Sequence, residues 1–118
     1  MADDSTALTR ATVIGTAAQI GMVTAGHYSP SIANLFAPGG MGISLLAGVL
    51  YARFSPPTTR GAAARGGAIA GGVCAIIGIA ISYVLGDVTA SILLLGTLSS
   101  AVTGAIGGAL ARRQPVGS

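Results

Sequence analysis

The chain has 118 residues, of which 52% are apolar and only 8% are charged, and its formal net charge is +3. Soluble domains carry about 25% charged residues, so this composition and a mean hydropathy of +0.78 predict a single-domain integral membrane protein. The six basic residues are all arginines beside long apolar stretches, with no basic face and no interleaved aromatic residues, and we expect no nucleic-acid partner.

The charged residues divide the chain into segments. No formally charged residue lies within residues 11–52, and only Asp87 lies within residues 66–111. One helical membrane crossing takes about 20 residues, so each stretch accommodates two crossings and a turn. The sequence therefore predicts an all-α membrane fold in which four transmembrane helices form two hairpins with glycine-rich packing.

The first predicted span covers residues 11–27. Ser5 or Thr6 is suited to cap the helix that contains it. Gln19 lies near the middle of the span, where an amide needs a hydrogen-bonding partner, so we expect it to face other helices rather than lipid. His27 lies where this span leaves the membrane.

The second span is predicted over residues 32–54, and its start has two interpretations. Either Ser31 caps a helix that continues through Pro38, or a short surface helix after Pro30 precedes a membrane helix that begins at Pro38. The stretch Pro38-Gly39-Gly40 is also where a broken helix would expose backbone groups to an ion or small solute.

A basic loop is predicted over residues 55–65, followed by a third span over 66–85 and a fourth over 88–111. Gly86 suits a left-handed helix end, and Asp87 suits the N-cap of the next helix. The third and fourth spans are therefore expected to form a tight hairpin.

The arginines also predict the topology. With four crossings, all of them fall on one side, together with both termini and the 55–65 loop. Cytoplasmic loops of membrane proteins are rich in basic residues, so we expect this side to be the cytoplasmic face of a bacterial inner membrane. Among the aromatic residues, Tyr51 is predicted at the same boundary and Tyr28 and Tyr83 at the opposite one.

Small residues recur at every fourth position in the predicted spans, the small-xxx-small or glycine-zipper spacing. Lipid tails are as apolar as leucine, so membrane helices associate largely by close backbone approach through small residues. The residues expected to pack helices are Gly40, Ser44, Gly48, Ala52, Gly67, Gly71, Gly96, Ser100, Gly104 and Gly108. The first span carries Ala17, Gly21 and Ala25 at the same spacing. Such stripes suit contacts within one chain, between copies, or with other proteins.

A faint internal repeat relates the two halves. A shift of 56 residues, from position 15 to position 71, aligns two glycines, and it also aligns the small stripes of the second and fourth spans. Duplication explains this correspondence, and so does chance in a composition this rich in glycine.

Four residues are candidates for a pore-lining or ligand-binding role: Gln19, His27, Asn34 and Pro38. The alternative for His27 is an interfacial residue, and for Gln19 and Asn34 it is helix or loop hydrogen bonding.

The sequence has few of the residues that coupled transport, metal binding or catalysis would need. The chain has no glutamate, one cysteine and one histidine, for which we expect no acidic neighbour, and its three aspartates lie at span ends. Coupled transport through a buried carboxylate, a metal site and a nucleophilic catalytic set all need more than this. We therefore expect no enzymatic activity, no cofactor and no metal.

Two functions follow as hypotheses. The first is a small structural or accessory subunit that packs against itself or other membrane proteins within the lipid bilayer. The second is a small oligomeric channel or passive transporter, including a holin-like pore.

Overall fold

The computed structural model describes residues 4–33 and 36–113, with the side chains of residues 5–31 and 38–113. This part of the chain is helical and contains no strand, which confirms the predicted all-α fold. The helices are α1 (Asp4–Tyr28), α2 (Pro30–Ala33), α3 (Phe36–Phe54), α4 (Arg60–Val84) and α5 (Ala90–Ala111). Four of these helices are long, and α2 is a single turn.

The four long helices form an elongated bundle of 50 × 22 × 20 Å. Helices α1 and α5 each pack against both α3 and α4, and α3 and α4 also pack against each other. We call the end that holds residues 29–33 and 85–89 the hairpin end, and the opposite end the arginine end. All six arginines lie within two turns of the arginine end, as the element order requires.

Hydrogen bonds to backbone carbonyls close the arginine end. Thr58 donates a backbone hydrogen bond to the Arg113 carbonyl at 2.9 Å. Arg112 Nη1 donates to the Thr58 carbonyl at 3.1 Å, and Arg113 Nη1 donates to the Ser55 carbonyl at 3.3 Å. The end of α5 is thereby tied to the connection between the two hairpins.

Helix α4 begins earlier than the predicted third span. It starts at Arg60 rather than near residue 66, so the connection expected over residues 55–65 is confined to residues 55–59. Thr59 caps the helix, since its Oγ1 accepts a hydrogen bond from the Ala62 amide at 3.2 Å. An apolar run marks where hydrocarbon would begin, whereas caps and backbone hydrogen bonds decide where a helix starts.

The turn between α4 and α5 differs from the prediction in one respect. Gly86 has a φ of 81°, the left-handed helix end that was expected. The expected N-cap at Asp87 is wrong, because Thr89 caps α5 through a hydrogen bond from the Ile92 amide to its Oγ1. The Asp87 amide instead donates to the Ser82 carbonyl at 2.9 Å, which completes the helix-ending turn and holds Asp87 outside α5.

Pro38 neither breaks nor kinks a long helix. Helix α3 begins at Phe36, and α2 is a separate turn over Pro30–Ala33, so the structure follows the second interpretation with the start two residues earlier. Pro38 is the third residue of α3. The amides of a first helical turn have no intrahelical partner, so the missing N–H of proline is tolerated there.

Glycines bring the backbones of α3, α4 and α5 together in the half of the bundle nearer the arginine end. A Cβ atom at Gly48 or at Gly67 would overlap the backbone carbonyl of Gly104. This approach allows Ser44 Oγ to donate a hydrogen bond to the Gly71 carbonyl at 3.2 Å. Three helices therefore meet with backbone against backbone.

Tyr51 lies in the interior of the bundle rather than on its surface. Its side chain is 5% exposed, and a Cβ at Gly66 would overlap its ring. The prediction that Tyr51 is an interfacial anchor is therefore wrong, because the missing side chain at Gly66 opens a slot for the ring between α3 and α4. Tyr28 and Tyr83 are exposed near the hairpin end.

Two helices, α4 and α5, are long and apolar enough to cross a membrane, as judged by length and composition. The sequence predicted four such helices. Threonines and Gln19 lower the hydropathy of α1, and Pro38-Gly39-Gly40 in the first turns and Arg53 in the last turn lower that of α3. Composition and length thus support two crossings in the described part of the chain.

Candidate functional site: a cleft at the hairpin end

The four long helices enclose a cleft of about 560 Å³ at the hairpin end. This volume lies in the range of roughly 300–1,000 Å³ that is typical of small-molecule sites. The cleft is lined by Gln19, Met22 and Val23 of α1, Gly40 and Met41 of α3, Ala75, Ile79 and Ser82 of α4, Asp87 and Val88 of the turn, and Ile92, Leu95, Gly96, Ser99 and Ser100 of α5.

The cleft exists because the close glycine packing does not continue to the hairpin end. Opposite Gly96 of α5 stands the Ile79 side chain of α4, whose Cδ1 lies 2.7 Å from where a Cβ at position 96 would be. At Gly40 of α3 a Cβ would come no closer than 3.6 Å to another group, the Cε of Met22. The same residue type thus closes the interface at Gly48 and leaves space at Gly40.

Gln19 lies at the deep end of the cleft. Its side chain is 1% exposed, and its Nε2 donates a hydrogen bond to the Gly40 carbonyl at 3.3 Å. Gln19 also packs onto Gly78 of α4. A Cβ atom at position 78 would stand 2.8 Å from the Cβ of Gln19. Gln19 therefore joins α1 to α3 and α4 while bordering the cleft.

Ser82 is a buried polar residue that lines the cleft. It is 1% exposed, and its Oγ makes no hydrogen bond to any group in the described part of the chain. Serine and threonine hydroxyls in helices commonly donate to the carbonyl four residues earlier. Thr97 and Thr103 do so in α5, at 2.6 and 2.8 Å. The Ser82 hydroxyl differs from these two in having no partner, as does the buried Thr16 hydroxyl of α1, which does not line the cleft.

His27 and Asp87 form a pair at the mouth of the cleft. The His27 Nδ1 and Asp87 Oδ2 atoms are 2.9 Å apart, and the pair joins the end of α1 to the α4–α5 turn. The interpretation that His27 lacks an acidic neighbour is wrong, because Asp87 lies 60 positions away in the sequence and is brought close by the fold. The Asp87 side chain is available for this pair because Thr89, and not Asp87, caps α5.

The structure places the four candidate site residues differently. Gln19 borders the cleft, and His27 reaches its mouth through Asp87. Pro38 is exposed at the start of α3, and Asn34 lies outside the described residues. Sequence reasoning missed Ser82, whose only signal is a hydroxyl within an apolar helix.

The ten residues expected to pack helices occupy three kinds of position. Five glycines lie where a Cβ would press on a neighbouring helix backbone: Gly48, Gly67, Gly71, Gly104 and Gly108. Three further residues are buried: Ser44, Ala52 and Ser100. The remaining two, Gly40 and Gly96, line the cleft, and a Cβ at Gly96 would meet only the Ile79 side chain.

Comparison of the chain with protein families, with curated proteins and with solved structures found no match.

Proposed function

We propose that this chain is a small membrane protein whose four long helices all cross the bilayer, and that it acts as a structural or accessory subunit through close helix packing. The apolar exterior of the bundle supports the membrane location. On α5 the outward side chains include Leu98, Val102 and Leu110, which are 58%, 61% and 80% exposed. Soluble proteins rarely expose a continuous apolar surface of this kind to water.

Helices α1 and α3 fit the same layer although they are less apolar. With 25 and 19 residues they extend for about 37 and 28 Å, close to the roughly 30 Å of bilayer hydrocarbon. Both pack against α4, so they share its depth. The amide of Gln19, which would need a hydrogen-bonding partner in lipid, is buried against other helices.

The outward face of α1 supports the accessory role. Ala17, Gly21 and Ala25 are exposed on it, and a Cβ at Gly21 would meet no atom within 4 Å. The stripe glycines Gly67 and Gly71 of α4 and Gly104 and Gly108 of α5 already contact helix backbones within the chain, whereas this small-residue stripe of α1 is open to a partner helix. Close backbone approach is what associates helices in lipid, so the stripe suits a second copy or another membrane protein.

This role is tested by substituting Gly21 with leucine and measuring the mass and composition of the complex that is purified in mild detergent. We expect Gly21→Leu to lose its partner or its second copy, because the side chain keeps helices apart. Gly42→Leu is the matched control, since Gly42 is also exposed with nothing within 4 Å. If the mass and the co-purifying proteins are the same for both variants, the stripe is not the interface.

A small channel or passive transporter is the second candidate, and the cleft with Gln19 at its deep end favours it. Within one chain the path would be blocked toward the arginine end by a core that includes Ala11, Ala47 and Tyr51. A pore would therefore require several copies. Solute flux through reconstituted vesicles that falls in Gln19→Leu would support this function, and absence of flux for all small solutes would exclude it.

A further inference from the structure

We infer that the cleft is a binding site for one acyl chain of a bilayer glycerolipid, with the ester carbonyl of the lipid accepting a hydrogen bond from Ser82. The inference rests on the membrane location proposed above. It goes beyond that location because it assigns a specific ligand class to residues that the packing role does not use.

Ser82 provides the polar contact. Ser82 lines the cleft, and its hydroxyl is buried with no partner in the described part of the chain, which is unfavourable in an apolar interior. A serine hydroxyl turns about a single bond, so Ser82 can direct its O–H into the cleft. An ester carbonyl is an acceptor of the kind this donor lacks.

The depth of Ser82 matches the ester region of a lipid. Ser82 lies two residues before the end of α4 at Val84, or about 3 Å below the helix end. The adjacent Tyr83 is 48% exposed, as tyrosines at the boundary between headgroups and hydrocarbon commonly are. A lipid whose ester lies beside Ser82 would extend its chain along Ile79 and Met22 in the direction of Gln19.

The walls of the cleft suit an acyl chain. They are built mainly from aliphatic and methionine side chains, and methionine adapts its shape to flexible apolar ligands. Met41 on α3 and Ile92 and Leu95 on α5 are exposed at the rim, so the opening faces the surrounding hydrocarbon. Asp87 is the one lining residue that ionises, and its carboxylate is paired with His27. The charged headgroup therefore remains outside.

The test uses the full chain reconstituted in phosphatidylethanolamine and phosphatidylglycerol vesicles that contain a phosphatidylethanolamine with a photoreactive diazirine in one acyl chain. After irradiation, adducts are mapped and quantified by mass spectrometry. We expect wild-type adducts to be concentrated on Met22, Met41 and Ile79, at several times the yield found on the outward residues Leu98 and Val102.

Two kinds of variant probe the site separately. We expect Ser82→Ala to lower the cleft adducts about fivefold, the loss of one hydrogen bond, and Ser82→Thr to restore them because it keeps the hydroxyl. Gly40→Leu places a side chain at the cleft wall from α3 and keeps the Ser82 hydroxyl, and we expect it to lower the cleft adducts as well. Ser91→Ala, an exposed position on α5, is the control and should not change them.

Three results would overturn the inference: adducts spread evenly over the cleft and outward faces, no effect of Ser82→Ala, or no recovery in Ser82→Thr. These results differ from failure of the proposed membrane location. In that case alkaline carbonate would release the chain from membranes and the outward residues would also lack adducts.

Discussion

At single positions, the surroundings of a glycine decide its role more than its spacing does. Gly40, Gly48 and Gly104 all belong to stripes with the same four-residue period. A Cβ at Gly48 or Gly104 would overlap a backbone carbonyl of another helix, but a Cβ at Gly40 would fit beside Met22. Backbone atoms cannot turn aside as the end of a side chain can, so these positions differ in their tolerance of substitution.

We expect Gly104→Ala to reduce the free energy of unfolding by about 1–3 kcal/mol, because the added methyl group would overlap the Gly67 carbonyl. Thermal unfolding in detergent, followed by helical circular dichroism, measures the effect. Gly42→Ala and Gly61→Ala are matched controls with no atom within 4 Å, and we expect them to be neutral or slightly stabilising because alanine favours helix. Equal destabilisation by all three substitutions would contradict backbone contact as the cause.

At the level of elements, helix ends are set by local hydrogen bonds that composition alone does not rank. Thr59 and Thr89 cap α4 and α5, whereas the residue expected to cap α5, Asp87, completes the preceding turn and pairs with His27. Both Asp87 and Thr89 are good N-cap residues, so the sequence leaves the choice open. The turn at Gly86 decides between the two residues, because it places Asp87 two residues before the N-cap position of α5.

Thr89→Ala is therefore expected to loosen the first turn of α5 and to cost about 1 kcal/mol, because the Ile92 amide loses the Thr89 Oγ1 acceptor at 3.4 Å and keeps only the Thr89 backbone carbonyl at 3.1 Å. Hydrogen exchange at the Ile92 amide should become faster, and Thr89→Ser should restore protection by retaining the hydroxyl. Asp87→Ala should leave this amide protected. Loss of protection in Asp87→Ala but not in Thr89→Ala would return the capping role to Asp87.

At the scale of the whole molecule, the two hairpins are laid out alike. Helices α1 and α4 begin 56 residues apart, at positions 4 and 60, and end 56 residues apart, at positions 28 and 84. This is the shift that aligns the small residues of the two halves. Both hairpins therefore start at the arginine end and turn at the hairpin end, which gathers the six arginines on one side.

This arrangement predicts opposite labelling of the two ends. In a Cys74→Ser background, we expect a cysteine at Ser29 to react with a membrane-impermeant maleimide in intact cells. Basic ends of membrane proteins remain cytoplasmic, and Ser29 lies at the end of the bundle opposite the arginines. A cysteine at Thr58 should react only after permeabilisation. Reaction of both cysteines in intact cells, or a chain that alkaline carbonate releases, would refute the four-span topology.

The sequence by itself determined the helical class, the left-handed turn at Gly86, and the placement of the arginines beside long apolar stretches. These properties depend on composition and on neighbours along the chain. The period of a helix also shows which small residues share a face, as it does for Gly48 and Ala52.

Only the tertiary structure decided what lies opposite each face. It placed Tyr51 over Gly66, joined His27 to Asp87, and left Ser82 beside a cleft without a partner. It also separated the glycines that pack backbones from those that leave space. The physical reason is that periodicity describes one helix, whereas contacts, cavities and hydrogen bonds between helices depend on residues far apart in the sequence.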